Sequence, residues 1–396
     1  MQTAGAGASA PKPLYFDYAA TAPVRDEVAQ AMRPYFSAKF GNPSSLYELA
    51  SEARDALETA REQVAGALNA RPRDIAFTSG GTEANNAAVK GAALANRQFG
   101  KHIIVSAIEH PSVREAAEQL VSWGYEADIV GVDKNGRIKL NELENALRAD
   151  TTLVSAMYVN NELGTIQDLP AIARLLAAKT RDFKHKVVLH ADAIQAAGKL
   201  PLDVKALGVD ILTLSGHKIG APKGVGAIYV KRGAPFEPLI VGGGQERQRR
   251  SGTENVPSIV AMGVALELAD AERERFNSRA AELRAALLDG LRRLCPDLIV
   301  NSPADAAPSI VNVSFPDITG ETMLIALDFE GVCASSGSAC SSASLEPSAV
   351  LRAIGLGDEL AVCSIRFSFG RDATAADIRE LLVRAERALK KVRELT

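Results

Sequence analysis

Seven short apolar runs, most of them separated by helical stretches, organise the first 230 residues of this chain. They fall at 75–77, 103–105, 128–132, 153–158, 187–190, 211–214 and 226–230. Runs this short, bounded by turn residues, read as strands. An amphipathic helix precedes them at 51–68, where Ala53, Leu57, Ala60, Val64 and Leu68 recur near helical spacing. Such alternation leaves few options. It predicts an α/β fold with a mainly parallel sheet wrapped by helices and ligands at the carboxyl ends of strands. A single core stops growing near ~250–300 residues, so 396 residues predict a second, smaller domain.

The C-terminal part supplies it. Residues 257–289 read as one long helical region bridging to that domain, 311–315 and 365–369 alternate like strands, and 375–395 is a charged amphipathic helix. A small α+β domain follows. Residues 1–13 are rich in Ala, Gly and Ser and read as disordered. They contain neither an apolar signal core nor an arginine, so no secretory or mitochondrial address is visible. A net charge of −3 gives no case for nucleic acid or a membrane surface. No apolar run approaches the ~18 residues of a spanning helix. Four cysteines make neither a disulfide framework nor a zinc spacing. A reducing cytoplasm is expected, and no metal.

Four strand ends carry candidate chemistry. The run at 211–214 leads into Ser215-Gly216-His217-Lys218 and then Gly220-Ala221-Pro222-Lys223-Gly224. A lysine delivered there, beside small and hydroxyl residues, can be desolvated and attack an aldehyde; a surface turn is the bland alternative. The run at 187–190 leads to Asp192, with Gln195 three residues on. An acid there can hold a proton on a pyridine nitrogen, and a Schiff-base lysine with such an acid is the signature of pyridoxal phosphate. A helix N-cap is the alternative. Ser79-Gly80-Gly81-Thr82 joins a strand to a helix. Free N–H groups and the helix dipole favour an anion there, and the missing nucleotide-loop lysine suits one phosphate better than several. A plain glycine turn capped by Thr82 is the alternative. His110 follows the run at 103–105, where an imidazole can stack on a flat ring and move protons, or simply cap the strand.

Further stretches fix a resemblance. They are Tyr15-Phe16-Asp17-Tyr18-Ala19-Ala20-Thr21, Gly41-Asn42-Pro43-Ser44-Ser45, Val159-Asn160-Asn161-Glu162-Leu163-Gly164, Arg250-Ser251-Gly252-Thr253-Glu254-Asn255, Ser336-Gly337-Ser338-Ala339-Cys340 and Ser364-Ile365-Arg366-Phe367-Ser368. With the four strand ends, in this order, the chain resembles the cysteine desulfurases of the long-loop branch from about Tyr15 to about Val392. These are pyridoxal-phosphate enzymes of the aminotransferase class V family with the type I fold. The resemblance implies that Lys218 bonds covalently to the cofactor, Asp192 pairs with its ring nitrogen and Gln195 bonds its ring oxygen. It implies that His110 stacks on the ring, and that Gly81, Thr82, Ser215 and His217 hold the phosphate. Thr253 would reach the phosphate of a second subunit in a homodimer. Asn161 and Arg366 would clamp the substrate carboxylate, with Asn42 nearby. The implied large domain spans 27–261, and the small one 14–26 with 262–396.

Cys340 lies in a run of almost entirely small residues, 334–344. Such a run buries too little apolar area to pack firmly, so a mobile catalytic loop around 334–346 is expected. Cys333, Cys295 and Cys363 sit in more apolar settings and read as structural thiols. The implied reaction converts L-cysteine to L-alanine and leaves a persulfide on Cys340. The sulfur would pass to an acceptor protein such as an iron–sulfur scaffold. A selenocysteine lyase or a class V transaminase would share the cofactor site; the latter would not need Cys340.

Overall fold

The computed structural model describes residues 13–336 and 347–395. Cys340, most of the segment around it, and residues 1–12 lie outside the described residues. Along the chain the strands are β1 (Leu14–Tyr15), β2 (Ile75–Thr78), β3 (His102–Ser106), β4 (Glu126–Val130), β5 (Thr151–Ser155), β6 (Val188–Asp192), β7 (Ile211–Ser215), β8 (Gly226–Val230), β9 (Ile299–Val300), β10 (Ile310–Ser314), β11 (Val332–Cys333) and β12 (Ser364–Ser368).

The main sheet has seven strands in the order β2-β8-β7-β6-β5-β3-β4. Five neighbouring strands, β7-β6-β5-β3-β4, are parallel, and β8 runs antiparallel to both β7 and β2. The carboxyl ends of β2, β3, β5, β6 and β7 therefore share one edge. Alternate residues face opposite layers, as a pleated strand requires. Ile104, Val154, Leu189 and Leu212 pack with Leu57, Val64, Ile172 and Met262 on one face. Ile103, Val105, Leu153 and Ile211 pack with Ala88, Ala92, Val113 and Leu120 on the other. Each such fully buried aliphatic side chain contributes about 1.5–3 kcal/mol. The sheet is thus covered on both faces, as the alternation predicted.

A second core surrounds the three-stranded sheet β12-β10-β9. It joins Val311, Val313, Ile365 and Phe367 to Leu283, Leu287 and Leu291 of helix Arg273–Leu294, and to Leu381, Ala385 and Leu389 of the terminal helix. Phe16 belongs to it, because β1 pairs in parallel with β11 and Asp17 bridges to Ser368. The region read as one helix over 257–289 is two, Val256–Ala271 and Arg273–Leu294, meeting at Glu272. Neither Gly nor Pro marks that break. Glu272 instead accepts from Arg25 Nη2 at 2.9 Å, a partner remote in sequence.

One buried ion pair fastens β2 to the rest. Arg61 donates from Nη1 to Glu246 Oε2 at 2.6 Å and from Nη2 to Oε1 at 3.0 Å. Both side chains are 2 % exposed. Glu246 Oε2 also accepts from the Phe77 N–H, and Arg61 Nη1 bonds the Ile75 carbonyl. Removing one partner leaves a buried charge unpaired, which costs about 3–5 kcal/mol. Arg61→Met is therefore expected to lower the urea midpoint markedly, while Arg61→Met/Glu246→Leu recovers much of the loss. Equal midpoints for Arg61→Met and the native protein would show that the pair does not anchor β2.

Candidate active site

The shared sheet edge opens on a cavity of about 490 Å³. Gly81, Thr82, His110, Asn161, Asp192, Gln195, Ser215, His217, Lys218 and Arg366 all line it. Two of the expected site residues stand apart. Asn42 is exposed, its Oδ1 accepting from Ser44 N–H, and Thr253 is exposed. Neither lines the cavity.

Asp192 closes β6 and is buried. Its Oδ2 accepts from Asn85 Nδ2 at 2.7 Å and its Oδ1 from Ile194 N–H at 2.9 Å. Burial pushes its carboxyl up, against the pull of His110, the two hydrogen bonds and Lys218. An acid held this way favours a cationic N–H partner. Sequence reasoning did not single out Asn85 as a site residue. It is fully buried, donates also to Ser112 Oγ, and accepts from Thr213 Oγ1. Only the fold brings those partners together.

His110 caps helix Pro111–Ser122, accepting from the Ser112 N–H. Its Nδ1 also lies 2.8 Å from Ser112 Oγ. Burial pushes its imidazolium down, with Asp192 opposing and Lys218 and Arg114 adding to the fall. Glu109 beside it is buried, its Oε1 accepting from Ser106 Oγ and Met157 N–H at 2.6 Å each. Burial lifts that carboxyl to about 8. It is therefore largely protonated at neutral pH and adds little charge to the site.

Lys218 follows β7 in a single tight turn, Gly216–Lys218. Its Nζ donates to the Ala19 carbonyl at 2.7 Å and the Ala20 carbonyl at 2.6 Å. The N-terminal segment thus closes over the lysine. His217 lies in the same turn, 3.1 Å from Thr21 Oγ1. Burial, then Lys218 and Lys223, lower its pKa to about 4, so it is neutral near pH 7.

Opposite lies the start of helix Gly81–Ala95. Gly80 has φ 153° and ψ −178°, a conformation open essentially to glycine alone. At Gly226, which starts β8, a Cβ would come within 2.7 Å of the Gly80 backbone carbon. The turn can therefore sit close against the sheet. Glu83, in the first helical turn, is neutralised by Arg250 at 2.9 Å, leaving the helix end attractive to an anion.

Arg366 lies on β12 and is 3 % exposed. Its Nη1 donates to the Asn161 carbonyl at 2.9 Å, and its Nη2 to Asp17 Oδ1 at 2.7 Å. Its buried Nε has no hydrogen-bond partner among the described residues. Asp17 thus already occupies one arm of the Arg366 fork. Glu162 is buried in the same cavity and accepts from Ser348 Oγ. Burial lifts its carboxyl to about 7, with the Ser348 bond, Arg366 and Arg114 opposing. Ser348 stands shortly after the segment that carries Cys340.

These residues fit pyridoxal phosphate. The helix end takes a phosphate, the buried acid takes a ring N–H, and the lysine takes an aldehyde. The sequence search at the strand ends could not find Asp17, because its partner Arg366 lies 349 residues away.

Known proteins bear on this geometry. The aminotransferase class-V family matches residues 14–381. The chain is 46% identical to a cysteine desulfurase, IscS, of Methanosarcina thermophila, over 97% of this chain and 94% of that one. Its structure is similar to that of a NifS-like protein, with TM-score 0.90 and 36% identity over 96% of this chain and 100% of the other. It is also similar to SspA in complex with cysteine, with TM-score 0.77 and 36% identity over 90% and 98% of the two chains.

Proposed function

This chain belongs to the aminotransferase class-V family, among its cysteine desulfurases, and from that premise we propose how its residues convert L-cysteine to L-alanine and pass the sulfur to Cys340. The observation that carries the proposal is the single cavity where Asp192, Lys218, His110, Arg366 and the Gly81–Ala95 helix end meet. Bound pyridoxal phosphate supplies the electron sink for cleavage at the substrate α-carbon. Asp192 would hold a proton on its ring nitrogen, and Gln195 would donate to its ring oxygen. Gly81 and Thr82 N–H groups, Ser215 and neutral His217 would hold its phosphate, and His110 would stack on its ring.

Arg366 and Asn161 orient the substrate carboxylate. Lys218, the residue that would hold the cofactor covalently, takes the α-proton on Nζ and later returns a proton to the product carbon. The Cys340 thiolate attacks the substrate sulfur. An S–S bond forms on Cys340 as the substrate C–S bond breaks. Its electron pair leaves with the substrate β-carbon, which is reduced and protonated to the methyl group of alanine, and the Cys340 thiol proton goes to His110 or the substrate amine. In the test, L-cysteine without reductant should give one alanine and one Cys340 persulfide per site. Alanine without protein-bound sulfur would refute the route.

Arg366→Lys keeps the charge but loses the fork. The loss of a charged, buried contact should cost roughly 2–4 kcal/mol in kcat/KM, about thirtyfold to a thousandfold. Unchanged steady-state kinetics would place the carboxylate elsewhere.

The proposal extends to assembly. Thr253 is exposed and does not line the cavity of its own subunit, which leaves it available to the phosphate site of a second one. A homodimer is expected by analytical ultracentrifugation. A fully active monomer at nanomolar concentration would contradict it. We propose a large domain of 27–261 and a small one of 14–26 with 262–396; two apolar cores support a division into two, with Met262, Ala265 and Leu266 packing into the first of them. An iron–sulfur scaffold in the cytoplasm is the proposed acceptor. No helix among the described residues is long and apolar enough to cross a membrane.

A further inference from the structure

Behind Gln195 lies a second cavity, of about 270 Å³, that shares Lys218 with the first. Lys199 lines this second cavity and not the first. Its Nζ donates to Gln195 Oε1 at 2.9 Å. Gln195 is buried, and its Nε2 donates to the Ala19 carbonyl at 2.8 Å. That same carbonyl accepts from Lys218 Nζ. An ammonium has donors only, so it accepts only the oxygen side of the amide. Lys199 therefore fixes which end of Gln195 faces the active-site cavity. The Asn277 amide holds the Lys199 carbonyl and keeps the backbone in place.

From this relay we infer that Lys199 is a positioning residue: it turns the Gln195 amide group so that Nε2 faces the cofactor, and its charge lowers the proton affinity of the nitrogen linking Lys218 to the cofactor. The inference rests on the proposal that Gln195 donates to the ring oxygen. Cations near Lys199 are Lys218 and Arg366, both of which disfavour its charge. The second cavity also presents Tyr18, Arg25, Arg371, Asp26, Glu272 and Asp372. Glu272 is taken by Arg25 and Arg275, and Asp372 by Arg371. Among the described residues no carboxylate forms an ion pair with Lys199. Burial, then the two cations, bring its ammonium down to about 7. Because that pKa is depressed, the charge is present below neutral pH and is lost as pH rises through it. The neutral amine can then accept as well as donate, so Lys199 no longer selects one end of the Gln195 amide.

The test is an absorbance-monitored pH titration of the purified holoenzyme without substrate. It reads the protonation of the Lys218–cofactor linkage rather than turnover. Lys199→Met is expected to raise the midpoint by roughly one pH unit. Both losses act in that direction: a nearby cation disappears, and the ring oxygen loses an oriented donor. Lys199→Arg keeps a donor and a charge at every pH, so its midpoint should equal or fall below that of the native protein. Gln195→Ala should also raise the midpoint, and adding Lys199→Met to it should give less than the sum of the two shifts. A native midpoint in Lys199→Met, or a raised one in Lys199→Arg, overturns the inference. A shift in Gln195→Ala without one in Lys199→Met overturns it alone. A native midpoint in Gln195→Ala overturns the placement of Gln195 as well.

Discussion

Replacing Cys340 with serine is expected to stop sulfur release entirely while leaving substrate binding intact. Cys340 does not belong to the set that moves protons, which is Lys218, Asp192 and His110. The variant should still change colour on mixing with L-cysteine. It should release no alanine and carry no persulfide, because a serine hydroxyl is a far weaker nucleophile toward sulfur. The other cysteines are poorly placed to substitute, and none lines the cavity. The Cys295 thiol donates to Asp297, and burial, then that carboxylate, push its pKa to about 11. Cys363 donates to the Glu359 carbonyl, and burial raises its pKa. Cys333 pairs with Tyr15 in the β1–β11 ladder, and burial raises its pKa too. Thiols held protonated do not attack. Cys295→Ser, Cys333→Ser and Cys363→Ser should retain most activity. Mass spectrometry after one turnover should find the added sulfur on Cys340. Sulfur on Cys333, or an active Cys340→Ser, would remove Cys340 from the mechanism.

Lys218→Ala should lose the reducible covalent link and at least about four orders of magnitude in turnover, the upper range for a general base. It removes the nucleophile toward the cofactor and the base toward the substrate in one step. The Ala20 carbonyl would lose the Lys218 donor, while that of Ala19 keeps Gln195 Nε2. Borohydride treatment followed by peptide mapping should label Lys218 in the native protein and nothing in the variant. Alanine release at the native rate would show that another amine does the work.

The strand ends were legible because chemistry there follows local rules. A hydrophobic run ends, and a polar residue stands where the sheet edge opens; Asp192, Lys218 and Gly81 are all found in that way. Exact strand limits were less legible. The run read at 128–132 lies at 126–130 in the structure. β4 is an edge strand with Ile129 64% exposed, so burial did not write its pattern. The run read at 153–158 is a strand at 151–155, because buried Thr151 and Thr152 join the ladder despite being polar. Residues 156–158 leave it, and the Tyr158 N–H bonds the Asp192 carbonyl instead. Partners remote along the chain left no trace at all. The Asp17–Arg366 pair and the Ala19 carbonyl that holds Lys218 and Gln195 depend on contacts that no local spacing encodes.

The pairing of β1 with β11 carries a consequence for the order of events during synthesis. Leu14 and Tyr15 are made before every strand of the main sheet, yet their strand partners are Val332 and Cys333. Asp17 waits longer still, for Ser368. The large sheet can close once β8 has emerged, since β8 bridges β2 and β7. Loop closure over such separations is slow. A nascent chain can therefore hold a finished sheet, with its phosphate cradle and Lys218, while the segment bearing Ala19 and Ala20 still lacks its partners on β11 and at Ser368. In that interval the reactive amine lacks its cover, and the cofactor has its widest route of entry. The chain closes its own doorway last, with a segment it made before the sheet.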